Sequence, residues 1–191
     1  MKFILALLLT LLSIQAFAVW EVVPPMRNTF STSSFQTQGF KAPYATPSDI
    51  CMIGNPTTGL MTVSHIRVSG TQTTGGSAGF FIVKRSSLDT CVENTLTSVG
   101  HESRSNSYSD IQWCTGAPTL GTYIGTLRAT DVVIPAPGGT SVSGVYDWDF
   151  GPNSRVQPMI LHQNEMVAVN FAGMAVPTGF QMVCEFTWQE Q

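Results

Sequence analysis

Near its C-terminus the chain reads GFQMVCEFTWQ over residues 179–189. Phe180, Met182, Cys184, Phe186 and Trp188 alternate with Gln181, Val183, Glu185, Thr187 and Gln189, the period of a β-strand with one buried face. A buried face made of a cysteine, a methionine and three aromatics belongs in the middle of a core. The stretch therefore predicts a central strand, around which the rest of the chain must supply neighbours.

The same signal recurs upstream. Strand patterns rich in β-branched and aromatic residues fall at 49–53, 60–68, 79–85, 110–114, 120–128, 131–134, 145–150, 159–162 and 165–171. Turn signals such as Gly54-Asn55-Pro56 and Pro135-Ala136-Pro137-Gly138-Gly139 separate them. Beyond residue 18 no window repeats apolar residues at helical spacing. Short strands, regular turns and no helix predict an all-β fold, an antiparallel β-sandwich of jelly-roll type. Residues 19–48 have no periodicity and carry Pro24, Pro25, Pro43 and Pro47, so they read as an extended N-terminal arm. Trp20, Phe30, Phe35, Phe40 and Tyr44 are too many aromatics for an inert linker, and the arm either wraps its own domain or docks on another copy.

The first 18 residues, MKFILALLLTLLSIQAFA, have Lys2, an apolar run over 3–12 and an Ala16-Phe17-Ala18 cleavage signal. They read as a secretory signal peptide, which divides the chain into a leader (1–18), the arm (19–48) and a sandwich domain (49–191). Export to the periplasm, the cell surface or the medium makes the four cysteines disulfide formers. Four cysteines allow three pairings. First and last strands of a sandwich lie near each other, which joins Cys51 to Cys184, and Cys91 and Cys114 bracket the longest polar segment and would close it. Without the leader, eight basic residues face twelve acidic ones, and such a surface has no electrostatic footprint for nucleic acid.

Catalytic signatures fail on context. Gly75-Gly76-Ser77-Ala78-Gly79 matches the nucleophile elbow, but that motif needs a strand before it and a helix after it; here it reads as a glycine-rich loop before a strand. His65, His101 and His162 are scattered without metal-ligand spacing, so no metal and no cofactor is expected. Asp147 and Asp149 are two apart on one strand and point to one face, a pair that suits a glycosidase, part of a calcium site or, more simply, a solvent-facing strand side. Trp113, Tyr108 and Tyr123 stand near loops, where flat rings would offer a sugar platform, while Trp148 and Trp188 read as core.

The segments FIVKRSSLDT (81–90), GHES (100–103), TLGTYIGTLR (119–128), WDFG (148–151) and EFTWQE (185–190), in this order and spacing, resemble a group of small β-sandwich proteins of bacteria and phages. That resemblance implies a virion-surface or fibre-like role and carries over no catalytic residue. With the leader, it implies either an exported cellular relative or a virion that acquires the protein at a membrane. The expected function is a non-catalytic exported subunit that assembles as a homo-oligomer or with other surface proteins. A secreted carbohydrate-binding module with a glycan partner is the alternative, and a glycoside hydrolase built on Asp147 and Asp149 comes third.

Overall fold

The computed structural model describes residues 28–34, 49–71, 76–91, 93–102, 106–114, 116–134, 144–151, 158–171 and 179–191. The expected leader, and residues 19–27 and 35–48 of the arm, lie outside these. Twelve strands form among the described residues: β1 (Asn28–Ser33), β2 (Asp49–Gly54), β3 (Met61–Thr71), β4 (Gly76–Arg85), β5 (Glu93–Thr95), β6 (Val99–Gly100), β7 (Asp110–Cys114), β8 (Tyr123–Ile134), β9 (Gly144–Asp149), β10 (Met159–Leu161), β11 (Met166–Asn170) and β12 (Gln181–Glu190). They make two six-stranded sheets. In the first the order is β10-β3-β12-β1-β6, with β9 also paired to β3; in the second it is β5-β7-β2-β11-β4-β8. All the pairings are antiparallel. Early strands pass from sheet to sheet, β1 in the first, β2 in the second, β3 in the first and β4 in the second, as in a jelly roll.

Strand β12 occupies the place its alternation required, between β3 and β1. Its Met182, Cys184, Phe186 and Trp188 are buried between the sheets. Phe30 of β1 stacks on Trp188 with ring centroids 5.7 Å apart, and Phe80, Phe171 and Phe180 form a second aromatic group at 5.1–6.1 Å. Cys51 on β2 and Cys184 on β12 are bonded across the core, with Cα atoms 6.6 Å apart, so one disulfide joins the two sheets. The other, Cys91–Cys114, ties the segment after β4 to β7, with Cα atoms 5.6 Å apart. Both pairings are the expected ones, and both point to an oxidising environment of the kind found outside the cytoplasm.

Over β2, β11 and most of β7 the second sheet is buried on both faces. Met52, Val83, Cys114, Met166 and Ala168 on its outer side form a small second core with Phe81, Leu88 and Cys91. For this reason β2 is buried at every position and β11 at four of five. Such strands read as apolar runs rather than alternating ones.

Several boundaries differ from expectation. Residues 28–33 of the arm are a sheet strand, held by β12 on one side and β6 on the other. Thr32 and Ser34 are buried here, Thr32 Oγ1 donating to the Thr97 carbonyl (2.6 Å) and Ser34 Oγ accepting from the Cys184 N–H (3.0 Å). The expected strands at 120–128 and 131–134 are one strand, β8, carried through two bulges against β4. Gly76 to Gly79 belong to β4 rather than to a loop, with Ser77 opposite Val133.

Candidate functional site

At one open side of the sandwich, β8 and β4 of the second sheet face β10 and the end of β9 in the first. The gap between them is a groove of about 430 Å³ lined by Leu127, Phe150, Pro158, Met159 and Ile160, with Lys84, Arg128 and His162 bringing nitrogen atoms to it. The bulge in β8 matters for this lining: Ile82 pairs with Arg128 and Val83 with Thr126, so Leu127 is the extra residue and turns to the core.

The cations here are held differently. Lys84 Nζ donates to Glu165 Oε2 (2.8 Å) and to the Ile160 carbonyl (2.9 Å). Burial pushes the Glu165 carboxyl up, but Lys84 and the His162 backbone N–H, 2.8 Å from Oε2, outweigh it and leave it below its usual range. Arg128 lies over the Phe150 ring, its guanidinium carbon 5.3 Å from the centroid, and Nη1 donates to the Leu127 carbonyl (2.8 Å). Among the described residues Arg128 has no carboxylate within ion-pair distance.

The residues singled out from sequence do not come together in this groove. Trp113 is only 1 % exposed and packs in the core, because its pairing with Cys51 turns it inward; it is not part of an exposed sugar platform. Tyr108 is half-buried, and its hydroxyl donates to the carbonyl oxygens of Leu60 (3.1 Å) and Gln191 (3.3 Å). Burial, with Glu190 nearby, raises its phenol above the ordinary value. Tyr123 is 56 % exposed, with its hydroxyl on Thr126 Oγ1 (2.8 Å).

Asp147 and Asp149 stand on the solvent side of β9, as their spacing requires. Asp147 faces His65 Nε2 (3.3 Å) and Arg67 Nε (3.6 Å), and Arg67 also reaches Glu185 (3.6 Å). Asp149 accepts the Gly151 N–H (2.7 Å) and so shapes the turn after β9. A glycosidase pair needs one carboxyl lifted by an apolar pocket. These two stand on an open polar face. Beside them a shallow depression of about 280 Å³ is lined by Ser31, Ser33, His65, Val99, Glu185 and Thr187. His101 lies across β1, its Nε2 3.3 Å from Ser31 Oγ.

Sequence reading missed two buried charge clusters. In one, Arg85 makes a two-pronged pair with Asp49, Nε to Oδ2 at 2.6 Å and Nη2 to Oδ1 at 3.0 Å, and Asn170 Nδ2 adds a third bond at 2.6 Å. Asp89 joins it: Oδ1 is 3.5 Å from Arg85 Nε and accepts the Gly121 N–H (2.7 Å). Its Oδ2 has no hydrogen-bond partner among the described residues. Burial, reinforced by the charge of Asp49, raises the Asp89 carboxyl to about 7. In the other cluster Glu190 accepts from Trp188 Nε1 (2.8 Å), Ser107 Oγ (2.6 Å) and the N–H groups of Tyr108 (3.1 Å) and Ser109 (3.3 Å). Both clusters pin loops to the sandwich; Asp49 lies 36 residues from Arg85, and the four-residue spacing of Arg85 and Asp89 signals a pair only on a helix, which this segment is not.

Ser77 lies on a strand with no helix after it, so the elbow geometry is absent from this segment. Among the described residues no three His, Cys, Asp or Glu side chains are placed to hold a metal ion. Comparison with protein-family models, curated proteins and solved structures gives no match to this chain.

Proposed function

We propose that the protein is an exported, non-catalytic subunit that works by assembly, at a cell surface, in a filament or on a virion. The observation that carries this reading is β8. It is a twelve-residue strand at the edge of its sheet, paired with β4 on one side, and no strand among the described residues pairs with the other. Its start exposes Tyr123 (56 %) and Ile124 (51 %), with Leu120 exposed just before them. A long edge with free backbone groups and apolar side chains is a template for another chain. The open edge comprises the bulged start, where Tyr123 and Ile124 present apolar surface, and the regular stretch Arg128–Ile134 that continues it. Both disulfides suit a protein that works outside the cytoplasm.

Negative-stain microscopy and native mass spectrometry of residues 19–191 test the reading. Oligomers, particles or fibres that grow with concentration are expected; a strict monomer at high concentration overturns it.

The polar depression on the first sheet supports a second reading, a secreted carbohydrate-binding module, because its hydroxyls and Glu185 suit a polyhydroxylated ligand. A glycan array with hits lost in Glu185→Gln supports that reading, and an empty array removes it.

A further inference from the structure

The groove between β8 and β10 combines an apolar lining with a cation that no carboxylate among the described residues neutralises. Four lysines and arginines lie among the described residues. Arg67 faces Asp147 and Glu185, Lys84 faces Glu165, and Arg85 faces Asp49 and Asp89. Arg128 alone is left with an aromatic face and a neighbouring carbonyl. Because Lys84 already neutralises Glu165, that acid leaves the charge of Arg128 uncompensated.

We propose that this groove binds an amphiphilic anion, with its carboxylate or sulfonate on Arg128 and its apolar body against Leu127, Phe150, Met159 and Ile160. The stacking on Phe150 and the bond to Leu127 hold the guanidinium in place before the ligand arrives, so little side-chain freedom is lost on binding. The volume of about 430 Å³ suits a small molecule. Charge and shape thus select different parts of one ligand: the arginine requires the negative head, and the lining requires the apolar tail. This ligand site is independent of the assembly reading, although the two share a strand.

The test uses residues 19–191 with both disulfides formed, and the fluorescent anion 1-anilinonaphthalene-8-sulfonate as probe. Saturable binding with one site per chain is expected, displaced by dodecanoate and far less by dodecanol. Arg128→Gln should weaken it about tenfold or more, the usual range for a hydrogen bond to a charged group. Arg67→Gln, a cation outside the groove, should leave it unchanged. Cooperative unfolding and near-ultraviolet circular dichroism confirm that each variant is folded. Should Arg128→Gln fail to fold, Arg128→Lys together with a salt titration of the unmodified protein replaces it, with weaker binding expected in each. No binding to the folded protein, equal displacement by dodecanol, or unchanged affinity without Arg128 would overturn the proposal. Repeating the titration on Ile124→Lys, which leaves the groove lining in place, separates it from assembly: binding should persist in a monomer.

Discussion

The first sheet leaves its outer face to water and ends in β6, with two residues, on one side and in β10 and β9, with three and six, on the other; the second covers part of its outer face and ends in β5, with three residues, and β8, with twelve. On the open face, Arg67, Asp147 and Glu185 form a ladder of partly exposed charges across β9, β3 and β12, with His65 beside Asp147. Water already solvates each of them, so the ladder adds little stability. On the covered face, Asp49, Arg85 and Asp89 are shielded from water and must satisfy one another. The same residue types thus contribute almost nothing in one place and become indispensable in the other, and the difference is desolvation.

The largest effect should come from cutting the covalent link between the two sheets. Replacing Cys51 and Cys184 by alanine opens a closure with a sequence separation of 133 and should cost about 5 kcal/mol on the loop-entropy estimate, read by urea unfolding. Next comes the contrast between the faces. Arg85→Met strands two buried acids and should cost about 3–5 kcal/mol, whereas Arg67→Gln on the open face should cost less than about 1 kcal/mol. Equal losses would break the comparison.

A smaller effect sharpens it through pH. Because the Asp89 carboxyl is raised to about 7, the folded protein keeps a proton that the unfolded chain gives up near the ordinary carboxylate value. Stability should therefore fall as pH rises from about 4 to about 7 and then level off. The urea midpoint of the unmodified protein should drop between pH 5 and pH 8, and Asp89→Asn should reduce that drop. An unchanged drop in Asp89→Asn would mean that another group carries the proton.

How much of this was legible in the sequence depends on which face a strand presents. The period of two in β12, with Phe186 and Trp188 inward and Thr187 outward, was readable because the other side of that sheet is in water. In β7, Ile111, Gln112, Trp113 and Cys114 are all buried, so alternation gives no contrast there and nearness to a loop misplaced Trp113. Strand β1 escaped notice because Thr32 and Ser34, small polar residues satisfied by main-chain partners, share its buried side with Phe30. The disulfides were within reach because nearness of the first expected strand to the last, and closure of the longest polar segment, are simple links, although Cys51 proves to lie on the second strand and its bond to cross between sheets. Arg128 offered no signal at all: its place at the groove depends on a one-residue bulge, and a bulge is set by pairing with β4 rather than by local pattern.

In the proposed function the β8 edge of the second sheet, unpaired among the described residues, is the surface used for assembly. Sedimentation of residues 19–191 over a concentration series, beside the variant Ile124→Lys, tests it most directly. Larger species that grow with concentration are expected in the unmodified protein and a monomer in the variant, since a lysine on an exposed edge disfavours strand addition. A monomer in both, or assembly unaffected by the lysine, would contradict it.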